Sequence, residues 1–193
     1  NLNRKIFCEN DANCFALSES FDGSAKHYKV VFGIILGSGC GGGLVIDKKI
    51  LVGPNYFAGE WGHVPIDPHN SSNNIQEYIS GKGLERLYFN KYNEKLTAKD
   101  IFSKSRENLP KEKDFIKEFL DNLGLSLSIL INIIDPDAIV FGGGVSNEIQ
   151  SLEEVKDITE KHLKKLNNLK NVNLRTILLK PKFGDASGVR GAA

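Results

Sequence analysis

The hydrophobic pattern of the chain alternates between the short apolar runs of buried strands and the wider spacing of amphipathic helices. Residues 29–36 form an apolar run rich in β-branched side chains. Residues 43–46 and 50–52 follow it, joined to each other by the polar turn Asp47-Lys48-Lys49. We expect these three segments to form a small antiparallel meander. Further strands are predicted at residues 5–8, 138–141 and 174–179.

Helical spacing separates these strands along the chain. The longest predicted helix covers residues 113–134, where apolar side chains recur at three- and four-residue steps until Pro136 ends the helix. Thr97 and Asp100 have the spacing of a capping box at the start of a helix over residues 97–105. Other helices are predicted at residues 12–20, 75–90 and 153–166, and from Asp185 onward. Strands alternating with helices in this way predict an α/β fold.

The first strand of the meander leads into a glycine turn that contains one hydroxyl group. Gly37, Ser38 and Gly39 form this turn. Backbone N–H groups of glycines approach an anion closely, and the serine hydroxyl adds a further donor, so the turn suits a phosphate group. The alternative is a tight turn between two strands without a ligand, which glycines at residues 41–43 would also permit.

A second glycine run, Gly142, Gly143 and Gly144, follows a buried strand and precedes a helical region. In α/β proteins, ligands bind at the carboxyl ends of strands, so this run is a second candidate for a ligand contact, although a plain strand-to-helix turn also explains it. Asp11 lies at the start of a predicted helix, where an N-cap role alone would account for it.

Taken in order, four motifs carry a resemblance to a known family. They are Glu9-Asn10-Asp11-Ala12-Asn13, Ala58-Gly59-Glu60-Trp61-Gly62-His63, the run from Asp135 to Ser146, and the ending from Gly184 to Ala193. The chain resembles the ROK family of sugar kinases from about Ile6 to its last residue. The resemblance implies the actin-like, ribonuclease-H-like ATPase fold, with residues 1–28 as the end of an N-terminal lobe and residues 29–193 as the C-terminal lobe with a helical insertion.

The resemblance also assigns roles to individual residues. Asp11 would be the general base that takes the proton from the sugar hydroxyl attacking the γ-phosphate of ATP, and ATP would bind with Mg²⁺. The residues that would bind the sugar are Asn10, Glu60, His63 and Gln76. The residues that would bind the nucleotide are Gly37, Ser38, Gly39, Gly142, Gly143 and Gly144. Ser38 replaces the more common Thr and keeps its hydroxyl.

The chain departs from the family pattern in the sugar site. The family histidine is usually also a zinc ligand beside a three-cysteine knuckle, but residues 67–74 contain no cysteine. Zinc needs four ligands, so we predict no zinc and no other protein-bound metal. Gln76 stands where a sugar-binding Glu is usual, unless a small shift in the alignment lets Glu77 take that place.

A further departure lies before the first motif. ROK kinases carry a phosphate-binding Asp-x-Gly-Gly-Thr turn and a closing lobe there, and these 193 residues contain no match to that turn. We therefore expect an incomplete kinase that is inactive alone. Two alternatives stay open, namely a sugar-binding regulator related to the repressors of the family and a decayed kinase. For the substrate, the motifs are closest to a bacterial fructokinase and next to an N-acetylglucosamine kinase, with glucokinase a further alternative.

Composition and net charge limit the classes of molecule that the protein is expected to bind. The net charge of +1 and the scattered basic residues argue against nucleic acid and membrane surfaces as partners. Three cysteines at irregular spacing argue against a disulfide framework and for a reducing compartment, so we expect a cytoplasmic protein. Its partners would be a hexose and ATP, and the resemblance implies a homodimer in the full-length form.

Overall fold

A five-stranded mixed sheet organises the computed structural model, which describes residues 8–66 and 72–193. The strands are β1 (Val30–Leu36), β2 (Cys40–Ile46), β3 (Lys49–Ile50), β4 (Ala138–Gly142) and β5 (Ile177–Leu179). Their order is β3-β2-β1-β4-β5. The first three strands form the predicted antiparallel meander, while β4 pairs parallel with β1 and with β5. Residues 5–7 of the predicted first strand lie outside the described residues.

Eight helices are present in the described ranges. They are α1 (Asp11–Phe21), α2 (Ile75–Ile79), α3 (Gly81–Tyr92), α4 (Ala98–Arg106), α5 (Pro110–Ile134), α6 (Gly144–Glu148), α7 (Leu152–Leu166) and α8 (Ser187–Gly191), with 3₁₀ turns at Trp61–His63 and Gly184–Ala186. The Thr97 capping box is confirmed, since both of its reciprocal hydrogen bonds form.

Several boundaries predicted from the sequence are wrong. The strand β2 begins at Cys40 instead of residue 43, β3 ends at Ile50 instead of residue 52, and α5 begins at Pro110 instead of residue 113. The helix expected over residues 75–90 is divided into α2 and α3 because Ser80 adopts an extended backbone, and its hydroxyl accepts a hydrogen bond from the Gly83 N–H at 3.1 Å. Serine is a strong N-cap, so a new helix begins there although the apolar spacing continues. The strand expected over residues 174–179 begins only at Ile177.

The two faces of the sheet pack against different layers. One face presents Phe32 and Ile34 of β1 to a large core that contains the buried side of α5, including Phe119 and Leu123. The other face packs a smaller core against α1. Alternating strand residues point to opposite faces, which explains why neighbours on β1 belong to different cores. The division of the chain at residue 28 stays a prediction.

Glycines let α1 lie unusually close to the sheet. A Cβ atom on Gly43 of β2 would lie 2.4 Å from the carbonyl oxygen of Ala12, and one on Gly33 of β1 would lie 2.7 Å from the Ala16 Cβ. Gly33 and Gly43 are paired across β1 and β2, so the two positions without a side chain lie next to each other beneath α1. The glycines at residues 41–43 are therefore part of a strand that seats a helix, rather than part of the turn.

A buried carboxylate joins α1 to the end of the chain. Glu19 is fully buried and accepts hydrogen bonds from the Ser187 hydroxyl at 2.6 Å, from the Ser24 N–H at 2.8 Å and from the Lys182 N–H at 3.1 Å. Burial opposes ionisation, but these donors outweigh it and lower the pKa of Glu19 below its ordinary value of 4.5. The ionised carboxylate thereby holds residues 182–187 against α1.

We expect Gly43→Ala to lower the free energy of unfolding by about 1–3 kcal/mol, because the new methyl group would force α1 away from β2. Gly37→Ala is the matched control, since none of the described atoms lies within 4 Å of its Cβ position. Urea unfolding followed by circular dichroism would measure both variants. Equal stability of the two variants would contradict the seat proposed for α1.

Glu19→Gln should destabilise the protein by on the order of 2 kcal/mol at neutral pH, because an amide cannot satisfy all the donors around Glu19. Since the folded pKa is lowered, the carboxylate stabilises the fold above pH 4.5 and loses this effect as the pH falls through the folded pKa. Urea titrations between pH 3 and pH 7 should therefore show a shallower acid-side slope for Glu19→Gln than for the wild type. The exposed-acid control Asp157→Asn should keep the wild-type slope.

Candidate functional site

A cleft of about 300 Å³ opens at the first turn of α1. We call it the α1 cleft. Its lining residues are Cys8, Glu9, Asn10, Asn13, Gly42, Val52, Tyr56, Ala58 and Glu60. Two of the predicted sugar-binding residues, Asn10 and Glu60, therefore meet in one cavity although fifty residues separate them in the sequence. Asp11 is exposed at the rim, next to Asn10, and is not among the lining residues.

Asn10, not Asp11, is the N-cap of α1. The Asn10 Oδ1 accepts a hydrogen bond from the Ala12 N–H at 2.8 Å, and its backbone is extended. Asp11 is the first helical residue, and its own Oδ1 also lies 2.8 Å from the Ala12 nitrogen. The N-cap interpretation of Asp11 is therefore wrong in position. A carboxylate in the first turn still benefits from the positive end of the helix dipole.

Two polar residues of the cleft were part of the first motif but received no role in the sequence analysis. The Glu9 Oε1 accepts hydrogen bonds from the Asn10 N–H at 2.8 Å and from the Asn13 side-chain amide at 2.9 Å. Asn13 is 6% exposed, and its Oδ1 has no hydrogen-bond partner among the described residues. Glu9 precedes the N-cap of α1, and its spacing of four residues from Asn13 across the start of the predicted helix is the signal that could have placed them together.

Glu60 and His63 are brought together by the 3₁₀ turn Trp61–His63. The His63 Nδ1 lies 3.2 Å from the Glu60 Oε2, which allows one hydrogen bond between the two side chains. Glu60 lines the α1 cleft, whereas His63 is exposed and lies outside the lining. Trp61 is buried and donates its indole N–H to the Gly41 carbonyl at 3.3 Å, so the ring anchors this turn on β2.

Gln76 contacts the first glycine turn instead of lining the α1 cleft. Its Oε1 accepts the Cys40 N–H at 3.1 Å and would lie 2.9 Å from a Cβ atom on Gly39. Glu77, the alternative for this role, forms an ion pair with Arg86 and is also absent from the residues described as lining the cleft. A sugar contact by Gln76 stays a prediction.

A second cavity, of about 570 Å³, joins the two glycine turns. We call it the glycine groove. It is lined by Gly37, Ser38, Gly81, Lys82, Glu85, Ala98, Lys99, Phe102, Gly144, Val145, Asn147 and Glu148. Parallel pairing of β1 with β4 brings the carboxyl ends of these strands to one edge of the sheet, which explains why the two turns meet there.

The predicted nucleotide-binding glycines have different neighbours. At Gly37 and Gly144, none of the described atoms lies within 4 Å of a Cβ position, so the space is open to a ligand. In contrast, a Cβ atom on Gly142 would lie 2.7 Å from the Phe15 ring. Gly143 has φ +90°, and its Cβ would lie 2.4 Å from the Leu36 carbonyl oxygen. Packing inside the protein alone therefore explains glycine at 142 and 143.

The charges of the glycine groove suit a phosphate ligand. Lys82 and Lys99 line it and contribute positive charge. Its two acidic residues each have a partner within the protein: the Glu85 Oε1 accepts the N–H of Ala98, another lining residue, at 3.1 Å, and Glu148 pairs with Arg106 at 2.7 Å. No sequence signal indicated the lysines, because they lie far along the chain from Ser38.

The thiols and histidines of the described ranges form no metal site. No group of three or more His, Cys, Asp or Glu side chains occurs there that could hold a metal ion. Cys14 and Cys40 are buried. Burial, followed by the charge of Glu60, raises the pKa of the Cys40 thiol to about 12. The sequence-based prediction that the protein holds no zinc stays a prediction, which elemental analysis of the purified protein would check.

No helix within residues 8–66 and 72–193 combines the length and the apolar character that a membrane span requires.

Comparison with known proteins gives a consistent result. The chain is 36% identical to an N-acetyl-D-glucosamine kinase of Yersinia pseudotuberculosis serotype O:1b (strain IP 31758), and the match covers 100% of this chain and 66% of the relative. It is 37% identical to an N-acetyl-D-glucosamine kinase of Vibrio cholerae serotype O1, with 67% of that relative covered. The chain thus spans about two thirds of the length of these relatives.

Solved structures agree on the fold. A ROK family glucokinase from Streptomyces griseus, in complex with glucose and AMPPNP, matches with a TM-score of 0.79 and 28% identity, covering 100% of this chain and 68% of that chain. A ROK hexokinase from Thermus thermophilus, 24% identical, matches with a TM-score of 0.82 over 98% of this chain and 64% of its own. The predicted actin-like ATPase fold is confirmed. The ROK family model matches residues 1–193, and the chain therefore belongs to the ROK family.

Proposed function

We propose that the natural protein carrying this sequence is a sugar kinase, which transfers the γ-phosphoryl group of ATP to a hydroxyl of a hexose or an N-acetylhexosamine. One observation carries this proposal. The glycine turn that opens the glycine groove continues into β2, and the first turn of α1 lies directly over that strand, with the Ala12 Cβ 3.4 Å from a Cβ position on Gly41. Asp11 at the rim of the α1 cleft is thus held close to the turn that suits a phosphate.

In this proposal Asp11 acts as the general base. Its exposed carboxylate accepts the proton of the attacking sugar hydroxyl, which increases the nucleophilicity of that oxygen. The Asp11 Oδ1 accepts the Ala12 N–H at 2.8 Å, which orients the carboxylate. The backbone that carries Asp11 is held in place because α1 packs on the glycines of β1 and β2 and is anchored by Glu19.

Asn10 and Glu60 bind sugar hydroxyls from two sides of the α1 cleft. The Asn10 Oδ1 is occupied by the cap of α1, so its amide N–H group is the part that faces a ligand acceptor. Glu60 provides carboxylate oxygens, and the hydrogen bond with His63 restricts its orientation. A preoriented carboxylate loses less side-chain entropy when the sugar binds.

The glycine groove binds the nucleotide. Gly37 and Gly144 leave the groove open, and Lys82 and Lys99 attract the phosphates. Bound Mg²⁺ would neutralise charge on the phosphate oxygens, and its ligands there would be mainly these oxygens and water. This fits a groove in which Glu85 and Glu148 are engaged by the Ala98 N–H and by Arg106.

For the substrate, we propose N-acetylglucosamine first. The two relatives described above are N-acetyl-D-glucosamine kinases, whereas the solved structure at 28% identity is a glucokinase that holds glucose. The fructokinase assignment, ranked first from the motifs, is not confirmed by these relatives. Cytoplasmic location and a homodimer remain part of the proposal.

Asp11→Asn should lower kcat by at least about 100-fold in the natural protein, because the amide has the shape of the carboxylate but cannot take up the proton. The sugar KM should change little. A coupled assay with Mg-ATP and N-acetylglucosamine, glucose, mannose or fructose would measure both constants and rank the substrates. A near-normal kcat in Asp11→Asn would remove Asp11 from the role of base.

Sugar binding should protect Cys8 from alkylation, because Cys8 is exposed and lines the α1 cleft, whereas Cys14 and Cys40 are buried. We expect N-acetylglucosamine to slow the reaction of Cys8 with iodoacetamide by at least about fivefold at saturation. Peptide-resolved mass spectrometry would follow each thiol, and galactitol, which has no ring, is the control ligand. Unchanged Cys8 alkylation with every sugar would contradict the assignment of the α1 cleft as the sugar site.

A further inference from the structure

Tyr56 has an unusual backbone for a large side chain. It adopts φ +59°, in the left-handed region that Gly, Asn and Asp enter most readily. Bulky residues held in this region usually mark a place where another requirement outweighs backbone preference. The surrounding packing does not supply that requirement, because Tyr56 is 79% exposed.

The position of Tyr56 offers a different reason. It is the only aromatic residue among the described residues that line the α1 cleft. The remaining wall is rich in polar side chains, namely Glu9, Asn10, Asn13 and Glu60. A pyranose ring has hydroxyl groups around its edge and C–H groups on its faces, so a complete sugar site needs polar partners and one flat apolar surface.

We propose that Tyr56 is a substrate-contact residue whose ring packs against the C–H face of the acceptor sugar and sets the affinity of the α1 cleft. This rests on the proposed function, since it assumes that the cleft binds a sugar. The polar side chains then bind the hydroxyl groups, and the Tyr56 ring covers the face that they leave exposed to water. The strained backbone is retained because it directs a large ring to the cleft.

Tyr56→Gly separates this role from a structural one. Glycine removes the ring and also fits φ +59°, so the variant should be at least as stable as the wild type. We expect the N-acetylglucosamine concentration that halves the rate of Cys8 alkylation by iodoacetamide to rise about tenfold, since the loss of an aromatic contact weakens binding by about this factor. Binding of a non-hydrolysable ATP analogue, measured by calorimetry, should not change.

Phe57→Gly is the matched control. Phe57 is the next residue, is similarly exposed at 76%, and lies outside the lining of the α1 cleft. The Phe57→Gly variant should bind N-acetylglucosamine with wild-type affinity. Tyr56→Phe keeps the ring and should also bind normally, and Tyr56→Asn, which tolerates the same φ, should weaken binding as Tyr56→Gly does and serves if the glycine variant fails to fold.

The outcomes distinguish this inference from the proposed function. If the wild type binds N-acetylglucosamine, and the Tyr56→Gly and Tyr56→Asn variants bind it as tightly as the wild type does, the role proposed for Tyr56 is wrong. Equal weakening in Phe57→Gly, or an equal loss in Tyr56→Phe, also overturns it, because the effect would then belong to the loop or to the hydroxyl. If the wild type shows no protection by any sugar, the proposed function itself fails.

Discussion

The close approach of backbone to backbone on the two faces of β2 is the constraint on which the functional site depends. On one face, Gly43 leaves room for the first turn of α1, with 2.4 Å between its Cβ position and the Ala12 carbonyl oxygen. On the other face, a Cβ atom on Gly42 would lie 2.5 Å from the Gly59 carbonyl oxygen. Since adjacent strand residues face opposite sides of the sheet, two consecutive glycines let the first turn of α1 and the segment around Gly59 both approach β2 closely. Any side chain at either position would move Asn10 or Glu60.

Charged groups fix the other end of α1. Glu19 is buried without an ion-pair partner among the described residues and relies on N–H and O–H donors instead. Lys48 approaches the same end of the helix, where its ammonium group donates to the Ser20 carbonyl and, at 2.7 Å, to the Lys26 carbonyl. A cation near the last carbonyls of a helix complements its dipole. Asp11, the proposed base at the N-terminal end, therefore belongs to a helix that is restrained at both of its ends.

The structural elements that depend on local sequence alone could be predicted. The meander, the glycine turns and the Thr97 cap follow from strand patterning and capping rules, and the structure has all of them. The separation of α2 from α3 was missed because helical spacing continued through Ser80. Lys82 and Tyr56 were missed for another reason: only tertiary packing brings them to the two cavities, and no local pattern marks such residues. The positive φ of Tyr56 contradicts its residue type, so sequence reasoning could not anticipate it.

Gln76 shows how a departure from the family pattern is compatible with the fold. Its Oε1 holds the Cys40 N–H at the end of the first glycine turn, a role that needs one acceptor oxygen and no charge. A carboxylate at this place would accept the same N–H but would add a negative charge beside Gly39. The amide keeps the hydrogen bond without that charge. Gln76 thus preserves the geometry of the turn, and in the proposed function Glu60 and Asn10 of the α1 cleft bind the sugar hydroxyls.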